Sequence, residues 1–374
     1  MKIAILIDHF PPKWIAGTEL LTYNIAKKLS AKGHNVHVIT AMDPGLLKEN
    51  VEEGFTVHRI NVPQIRILGY MVRCGEMFFV LNKLNPDVIH CQGSTVGMPA
   101  LFSKIFLKKP YIVSLHGSDI YSDWKFKKKI TKLVLNNANG ITALTYHMKG
   151  VIAKYSNKEV NIIPNGIDLD RFTNSSKTKC GLKIRKYNNE KVIIFVGTLR
   201  PVKGIKYLIQ AMRILCNADD SARLILVGDG PDRIDLETMS KELNLGENIC
   251  FVGAIPNEKV AEYMMSADIF VLPSLSEGFP VVILEAMACG LPIVTTKIKG
   301  LPEIIKEGEN GFTVKPASSE QLAEKLLLLL HDDVGRQCIS ENNRIKSQDY
   351  SISSVVEKLE QVYSKAIYKL PNHH

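Results

Sequence analysis

Two glutamates and two cations stand at spacings that favour chemistry. Glu277 and Glu285 are eight positions apart in SEGFPVVILEAMACGLPIV, residues 276–294. Arg200 and Lys203 are three positions apart in VGTLRPVKG. Carboxylates accept hydrogen bonds from hydroxyls, and paired cations beside helix amides bind diphosphate. The two segments together indicate a ligand that carries both sugar hydroxyls and phosphates.

The segment around Glu277 is predicted to lead from a strand into a helix. Gly278 permits a close backbone approach, and Pro280 suits the first helical position. The helix is predicted over Val281–Ala288, with its first amides pointing towards a phosphate. The alternative is a glutamate that favours the helix dipole followed by an exposed helical glutamate. The apolar surroundings count against that alternative.

Two further candidates follow strands in the first half of the chain. Gly17 stands at the start of the helical pattern GTELLTYNIAKKLSAKGH, where free amides favour an anion or a sugar oxygen. His116 opens the polar turn HGSD and could orient a ligand or share a proton. A plain turn and a structural histidine are the alternatives for these two positions.

These candidates are positioned by alternating apolar runs and helical periods. The predicted strands include IAILID, VHVIT, DVIHCQG and YIVSLHG in the first half, and KVIIFVG, LILVGDG, NICFVG and DIFVLPS in the second. Strands that are apolar on both faces and joined by helices form parallel sheets covered on both sides. Ligands bind such sheets beyond the carboxyl ends of the strands, where the candidates fall.

The length of 374 residues favours two domains. We expect an α/β fold with Rossmann-like, doubly wound parallel-sheet domains in residues 1–165 and 166–350, and a final helix in 351–374 that crosses back to the first domain. The opening apolar run is too short for a signal peptide, and no run is long enough to span a bilayer. Seven scattered cysteines indicate reduced thiols, so the expected location is the cytoplasm.

The first half carries most of the positive charge. Residues 1–170 hold 21 Lys+Arg and 13 Asp+Glu, whereas residues 171–374 hold 26 and 25, which gives net charges of +8 and +1. A basic half indicates an anionic partner: nucleic acid, a membrane surface or a phosphorylated substrate. The segment from Lys125 to Lys132 is an amphipathic basic helix of the kind that rests on anionic lipid. A surface helix with a solvated lysine face is the equal alternative.

The order and spacing of these segments resemble the retaining nucleotide-sugar glycosyltransferases of family 4, which have the GT-B fold and an E-x7-E signature. The resemblance covers nearly the whole chain, through AGTEL, HGSD, IIPNGID, VGTLRPVKG, LVGDGP, FVG and the two glutamates with GLPIV and LPEII. One departure concerns the first cation. Many members carry an arginine directly after the glycine, where this chain has Thr198 and places Arg200 two residues later. The resemblance implies two domains that face a central cleft.

The resemblance also implies roles in donor binding. Glu285 would bind the ribose hydroxyls, and Glu277 would contact the transferred sugar. The backbone from Phe279 to Val281, next to Gly278, would hold the distal phosphate.

Further implied roles concern the leaving group and the rim of the site. Lys203 and Arg200 would neutralise the diphosphate as it leaves. His116 and the loop of Gly17 would close the site from the other side, and Ile255 would touch the base. The implied catalytic set is Glu277, His116, Lys203 and Arg200.

The activity implied is transfer of a hexose-type sugar from a UDP-sugar or GDP-mannose to a hydroxyl of a glycan, lipid-linked or other anionic acceptor, in cell-envelope glycan synthesis. Cations and helix amides stabilise the leaving group, so no metal or other cofactor is expected. Retention of the anomeric configuration is implied, by front-face attack. Two alternatives stay open: a nucleotide-sugar epimerase of the same fold, and a non-enzymatic two-lobed sugar- or nucleotide-binding protein. No nucleic-acid partner is expected, and the basic segment suggests peripheral attachment to the inner face of the membrane.

Overall fold

A computed structural model describes residues 1–14, 17–63, 66–117, 120–121, 124–173 and 190–368 of the chain. The chain forms two compact units. Unit 1 consists of Met1–Gly166 and Ile352–His374, and unit 2 is Ile167–Ser351. The last helix therefore belongs to the unit that contains the first half of the chain.

Unit 1 is built on one sheet. Its strands are β1 Lys2–Leu6, β2 Asn35–Ala41, β3 Glu49–Glu52, β4 Phe55–Ile60, β5 Val88–Gln92, β6 Tyr111–Leu115, β7 Gly140–Ala143 and β8 Val160–Ile162. Within the described ranges the strand order is β3-β4-β2-β1-β5-β6-β7-β8. All neighbouring strands are parallel except β3 and β4. The apolar runs of the sequence thus form the parallel sheet that their pattern predicts.

Helices cover this sheet. They are α1 Gly17–Ala31, α2 Arg66–Leu84, α3 Gly97–Leu107, α4 Lys125–Asn137, α5 Tyr146–Ile152 and, from the end of the chain, the helix Ile352–Tyr368. The last helix buries Val356, Leu359 and Tyr363 in one core with residues of β1, β2, β4 and α1. Burial of these large side chains holds the end of the chain on unit 1.

The antiparallel strand β3 was not predicted from the sequence. It forms a hairpin with β4 through the two-residue turn of Glu53 and Gly54, whose φ angles are 46° and 86°. Two positive φ angles in a two-residue loop match the twist of a hairpin. A Glu-Gly pair is a weaker hairpin signal than Asn-Gly, so the pattern was missed.

Unit 2 repeats the architecture with a smaller sheet. Its strands are β9 Lys191–Val196, β10 Ala222–Val227, β11 Ile249–Gly253, β12 Ile269–Leu272, β13 Ile293–Thr296 and β14 Gly311–Val314. In the described part of unit 2 they run in the order β11-β10-β9-β12-β13-β14, and every pair is parallel. The short edge strand β14 was not predicted, because its four residues lack a clear apolar run.

The helices of unit 2 lie between its strands and after the last one. They are α6 Asp170–Thr173, α7 Ile205–Ala218, α8 Arg233–Glu242, α9 Asn257–Met265, α10 Val281–Ala288, α11 Leu301–Ile304, α12 Ser319–His331 and α13 Asp333–Ser347, so that the last helix of unit 1, Ile352–Tyr368, is α14. No helix in the described part of the chain has the length and apolar character to cross a bilayer.

Candidate active site

The cationic turn of unit 2 lies directly against one of the two candidate glutamates. β9 ends at Val196, and after the extended residue Arg200 the chain forms a single 3-10 turn, Pro201–Lys203. The Nζ atom of Lys203 lies 2.6 Å from Oε1 of Glu277. The two side chains are 23% and 11% exposed, so water is largely kept away from the pair. Partial exclusion of water strengthens the attraction between the two charges.

Ser274, which the sequence analysis did not select, completes this pair. Its buried hydroxyl donates to the same Oε1 atom of Glu277 at 2.6 Å. The other carboxylate oxygen, Oε2, receives no hydrogen bond from a described residue. One oxygen is therefore anchored by the protein, while Oε2 can accept a hydrogen bond from a ligand. A serine at a strand end is too common for the sequence to single it out.

The loop that leads to the cationic turn is fixed by backbone contacts. The amide of Leu275 donates to the carbonyl of Val202 at 2.8 Å. A side chain at Gly228 would place its Cβ only 1.9 Å from the carbonyl oxygen of Gly197. Gly228, in the segment VGDGP, therefore lets two strand-end loops touch.

The start of α10 faces the same strand ends. The helix begins at Val281, as predicted, and Pro280 is its N-cap, one position earlier than the first helical position expected for it. The side chain of Phe279 is buried, and Gly278 joins it to Glu277. No side chain caps the helix. Its first amides and the positive end of its dipole therefore suit an anion.

Glu285 lies one turn inside α10 and has no hydrogen bond or ion pair with a described residue. Burial raises the pKa of Glu285 to about 7, and the positive charge of Arg171 partly opposes this effect. Arg171 belongs to α6 and donates to the carbonyl of Asn257, the first residue of α9, at 2.8 Å. No sequence pattern indicates Arg171, because 114 positions separate it from Glu285. The described residues therefore leave the carboxyl group able to accept a further hydrogen bond.

Two other predicted residues of unit 2 lie in the surrounding loops. The side chain of Arg200 is exposed and makes no hydrogen bond or ion pair with a described residue, while its carbonyl accepts from the amide of Lys203 at 2.9 Å. Ile255 is partly exposed between β11 and α9, two residues before Asn257. The structure brings Lys203 and Glu277 into contact; it shows no such contact for Arg200 or Ile255.

The remaining predicted site residues, His116 and Gly17, belong to unit 1. Gly17 is exposed and is the first residue of α1. His116 directly follows β6, and its Nε2 atom lies 2.7 Å from Oε1 of Gln92. Burial lowers the pKa of His116 to about 4, so the ring is neutral near pH 7. Ser118 and Asp119 of the HGSD turn lie outside the described residues.

The predicted basic helix is α4, and it exposes aromatic residues as well as lysines. Lys125, Lys129 and Lys132 are exposed. Trp124 and Phe126 at its start are 48% and 52% exposed, with ring centroids 5.4 Å apart. Aromatic and basic side chains displayed together are typical of a surface that contacts a membrane interface.

Asp168 and Asp170, which are spaced as in a D-x-D metal motif, have a local role. Asp168 accepts a hydrogen bond from the amide of Asp170 at 3.2 Å, just where α6 begins. Within the described ranges, no group of three or more His, Cys, Asp or Glu side chains could hold a metal ion.

The two sheets, together with a match to solved structures, define the class of protein. The structure of HepE from Anabaena in complex with UDP matches with a TM-score of 0.82 at 22% identity, and covers 97% of this chain and 100% of that chain. The same protein in complex with UDP-glucose matches with a TM-score of 0.78. Two α/β units built on parallel sheets define the GT-B fold, so the predicted fold class is confirmed.

The family follows from the sequence comparisons. The family described as glycosyltransferase family 4 matches residues 15–171, and glycosyl transferases group 1 matches residues 182–346. An uncharacterized glycosyltransferase of Methanocaldococcus jannaschii is 29% identical over 98% of this chain and 99% of its own. N-acetyl-alpha-D-glucosaminyl L-malate synthase of Bacillus anthracis is 26% identical over 97% of each chain. The chain belongs to the family 4 type of GT-B glycosyltransferases, and it is an enzyme of that class.

Proposed function

We propose that this glycosyltransferase moves a hexose-type sugar from a nucleoside diphosphate sugar to a hydroxyl of a glycan, lipid-linked or other anionic acceptor, with retention of configuration and without a metal. The observation that carries the proposal is the contact of Lys203 and Ser274 with one oxygen of Glu277, beside the uncapped start of α10. It combines a fixed cation, a free carboxylate oxygen and helix amides at one set of strand ends.

The leaving diphosphate is the part of the donor that this arrangement suits best. Breaking the bond from sugar to diphosphate places negative charge on the leaving oxygens. Lys203, the exposed guanidinium of Arg200 and the backbone amides of Phe279 and Val281 supply positive charge for them. Groups that are already in place need no reorganisation when the charge develops, which lowers the barrier. No metal has to supply that charge.

The two carboxyl groups bind different parts of the donor. Oε2 of Glu277 accepts a hydrogen bond from the transferred sugar, next to the leaving group. Glu285 accepts from the ribose hydroxyls, which supply the partners that the protein does not give it. Gly278 allows the ligand to approach the backbone, and Ile255 touches the base. The UDP and UDP-glucose in the Anabaena structures support a uridine donor.

The contacts that Glu277 already makes favour retention of configuration. Its Oε1 already holds Lys203 and Ser274, so the carboxylate is oriented to bind and not to attack the sugar. The acceptor hydroxyl then attacks from the face of the leaving diphosphate, whose oxygen takes the proton. Retention of configuration follows from this front-face path. On the side of unit 1, His116 and the α1 amides at Gly17 contact the donor.

The acceptor is proposed to be anionic, in cell-envelope glycan synthesis. The basic first half and the exposed lysines of α4 favour an anionic acceptor. The name of the Bacillus relative, N-acetyl-alpha-D-glucosaminyl L-malate synthase, also points to an anionic acceptor, malate. We also propose that α4 rests on the anionic inner face of the membrane, because Trp124 and Phe126 extend its basic surface with exposed aromatic rings. The family assignment favours this function over the epimerase and binding-protein alternatives.

The test is a panel of UDP-glucose, UDP-N-acetylglucosamine and GDP-mannose, scored by thermal stabilisation and then by nucleotide release with acceptors. We expect one nucleotide class to stabilise the protein. Lys203→Ala and Glu277→Gln should each lower turnover at least about tenfold, the effect of one lost transition-state contact. The matched controls are Lys206→Ala and Glu242→Gln, which change exposed side chains of the same unit. Full turnover in both site variants would refute the site.

A further inference from the structure

Gln92 is a buried carboxamide at the carboxyl end of the sheet in unit 1. It is the last residue of β5, is 6% exposed, and pairs in register with Ser114 of β6. Its Oε1 atom lies 2.7 Å from Nε2 of His116, two residues beyond Ser114. The histidine that the function places at the ligand is therefore held by a neighbouring strand end.

The other end of this carboxamide is buried without a hydrogen bond. Within the described residues, the Nε2 atom of Gln92 has no partner. A buried unpaired donor lowers the stability of the fold. Rotating the amide by half a turn would bring Nε2 to His116 and leave Oε1 unpaired in its place. The unpaired group is thus a property of glutamine at this position in either orientation.

The neighbouring histidine shows that this layer of the fold can satisfy buried polar groups. His90 precedes Gln92 by two residues and points to the same side of β5. Its Nδ1 atom lies 2.8 Å from the hydroxyl of Tyr363, and its Nε2 atom lies 2.7 Å from the hydroxyl of Ser114. Both ring nitrogens of His90 therefore have side-chain partners, in contrast to the half-paired carboxamide of Gln92.

The contact with Gln92 also decides where His116 carries its proton. The ring is neutral near pH 7, and a neutral imidazole has a single N–H group. A carboxamide oxygen only accepts hydrogen bonds. With Oε1 of Gln92 towards the ring, as the structure shows it, the contact places the proton of His116 on Nε2 and the lone pair on Nδ1.

We propose that Gln92 is a positioning residue that holds His116 in one tautomer and one orientation for its contact with the donor. The unpaired amide nitrogen of Gln92 is an energetic cost of that arrangement. The inference rests on the proposed function, because it takes His116 to contact the bound nucleotide sugar.

The experiment combines three readouts on the full chain. Gln92→Met has a similar length and lacks the acceptor oxygen, and Gln92→Glu keeps that oxygen and lacks the amide nitrogen. Gln361→Met, on the exposed side of α14, is the matched control. Nitrogen-15 NMR of labelled histidines reports the tautomer of His116, whose signals are assigned with His116→Gln. Thermal unfolding and turnover with the donor found by the UDP-sugar and GDP-mannose panel complete the set.

We expect a single Nε2–H tautomer of His116 in the parent chain and in Gln92→Glu, and a mixture of tautomers in Gln92→Met. Gln92→Met should stay folded, with an unfolding temperature near or below that of the parent, because it removes the unpaired donor but leaves the ring N–H of His116 without its acceptor. Its kcat should nevertheless fall about tenfold, whereas Gln92→Glu should recover to within about threefold. A mixture of tautomers with lower kcat in Gln92→Met, and recovery of both properties in Gln92→Glu, is a combination that a purely structural role does not produce.

The inference is overturned if His116 keeps one tautomer in Gln92→Met, or if the kcat of that variant is unchanged. Failure of the proposed function gives a different result: full turnover in Lys203→Ala and Glu277→Gln. The NMR and unfolding measurements need no donor, so the two failures are distinguished.

Discussion

A Cβ atom on Gly204 would lie 2.2 Å from the carbonyl oxygen of Pro273. Gly204 ends the turn that carries Lys203, and Pro273 lies between β12 and Glu277. The two backbones can come this close because glycine has no Cβ atom. This contact sets the separation at which the Lys203 ammonium and the Glu277 carboxylate meet.

Gly204→Ala should destabilise unit 2 and displace Lys203. The φ angle of Gly204 is +65°, which costs an alanine about 1–2 kcal/mol, and the clash with Pro273 adds to this. We expect a loss of at least about 2 kcal/mol in urea unfolding, together with reduced turnover. Gly246→Ala is the control, because Gly246 has open space around its Cβ position and no positive φ. Equal stability of the two variants would contradict the packing argument.

Ser274→Ala should reduce turnover more than it reduces stability. The substitution removes one of the two donors to Oε1 of Glu277, so the carboxylate is less well oriented. We expect kcat to fall between about threefold and tenfold, the range for one neutral hydrogen bond. Ser266→Ala is the control, since that hydroxyl donates to the carbonyl of Tyr263 away from Glu277. An unchanged kcat for Ser274→Ala would show that Lys203 alone orients the carboxylate.

Glu285→Gln should stabilise the protein at alkaline pH while it weakens nucleotide binding. The pKa of Glu285 is raised from 4.5 to about 7 in the folded chain, so its contribution to stability falls as pH rises between these values. Above pH 7 the buried charge costs about 3 kcal/mol, which the amide of glutamine avoids. We expect the variant to melt several degrees higher at pH 8 and at the parent temperature at pH 4.

The same variant tests the ribose contact. Glutamine accepts hydroxyl hydrogen bonds less strongly than a carboxylate, so UDP should bind about tenfold more weakly at pH 8 by titration calorimetry. In the parent chain, UDP affinity should rise from pH 6 to pH 8 as Glu285 ionises, and the variant should not show this rise. Unaltered affinity in the variant would remove Glu285 from the nucleotide site.

Replacing the exposed lysines of α4 should weaken attachment to anionic lipid. Each lysine near such a surface contributes about 1 kcal/mol, so changing Lys125, Lys129 and Lys132 to glutamine should lower partition to phosphatidylserine vesicles at least about tenfold at low salt. The control changes exposed lysines of the same unit, Lys27, Lys48 and Lys154. Co-sedimentation that is equal for both triple variants, or indifferent to salt, would count against membrane attachment.

Most strands and the key helix follow from the sequence because their signals are local. β1, β5 and β6 are mostly apolar and almost entirely buried, and α10 combines an apolar segment with a preceding Gly-Phe-Pro. The edge strands β3 and β14 are not predicted from the sequence. A short edge strand buries few side chains, so its pattern carries little information.

The candidate site divides in the same way. Glu277, Glu285 and Lys203 are found from their residue types and from the strand ends that precede them. Ser274 and Gln92 are not, because a serine or a glutamine at a strand end becomes informative only through the atom it contacts. Arg171 affects the pKa of the Glu285 carboxyl group, which lies on another helix. No sequence pattern shows that these two residues are close together.

The sequence by itself determined the alternation of apolar strands and helices, the loops that carry cations and carboxylates, and the family to which the chain belongs. These properties are set by nearest neighbours along the chain and by their hydrophobic period. The tertiary structure alone decided that Lys203 and Ser274 share one oxygen of Glu277, that Glu285 is partly buried near Arg171, and that Gln92 contacts His116. Contacts of this kind depend on which strands lie side by side, and the chain settles that only when its cores pack.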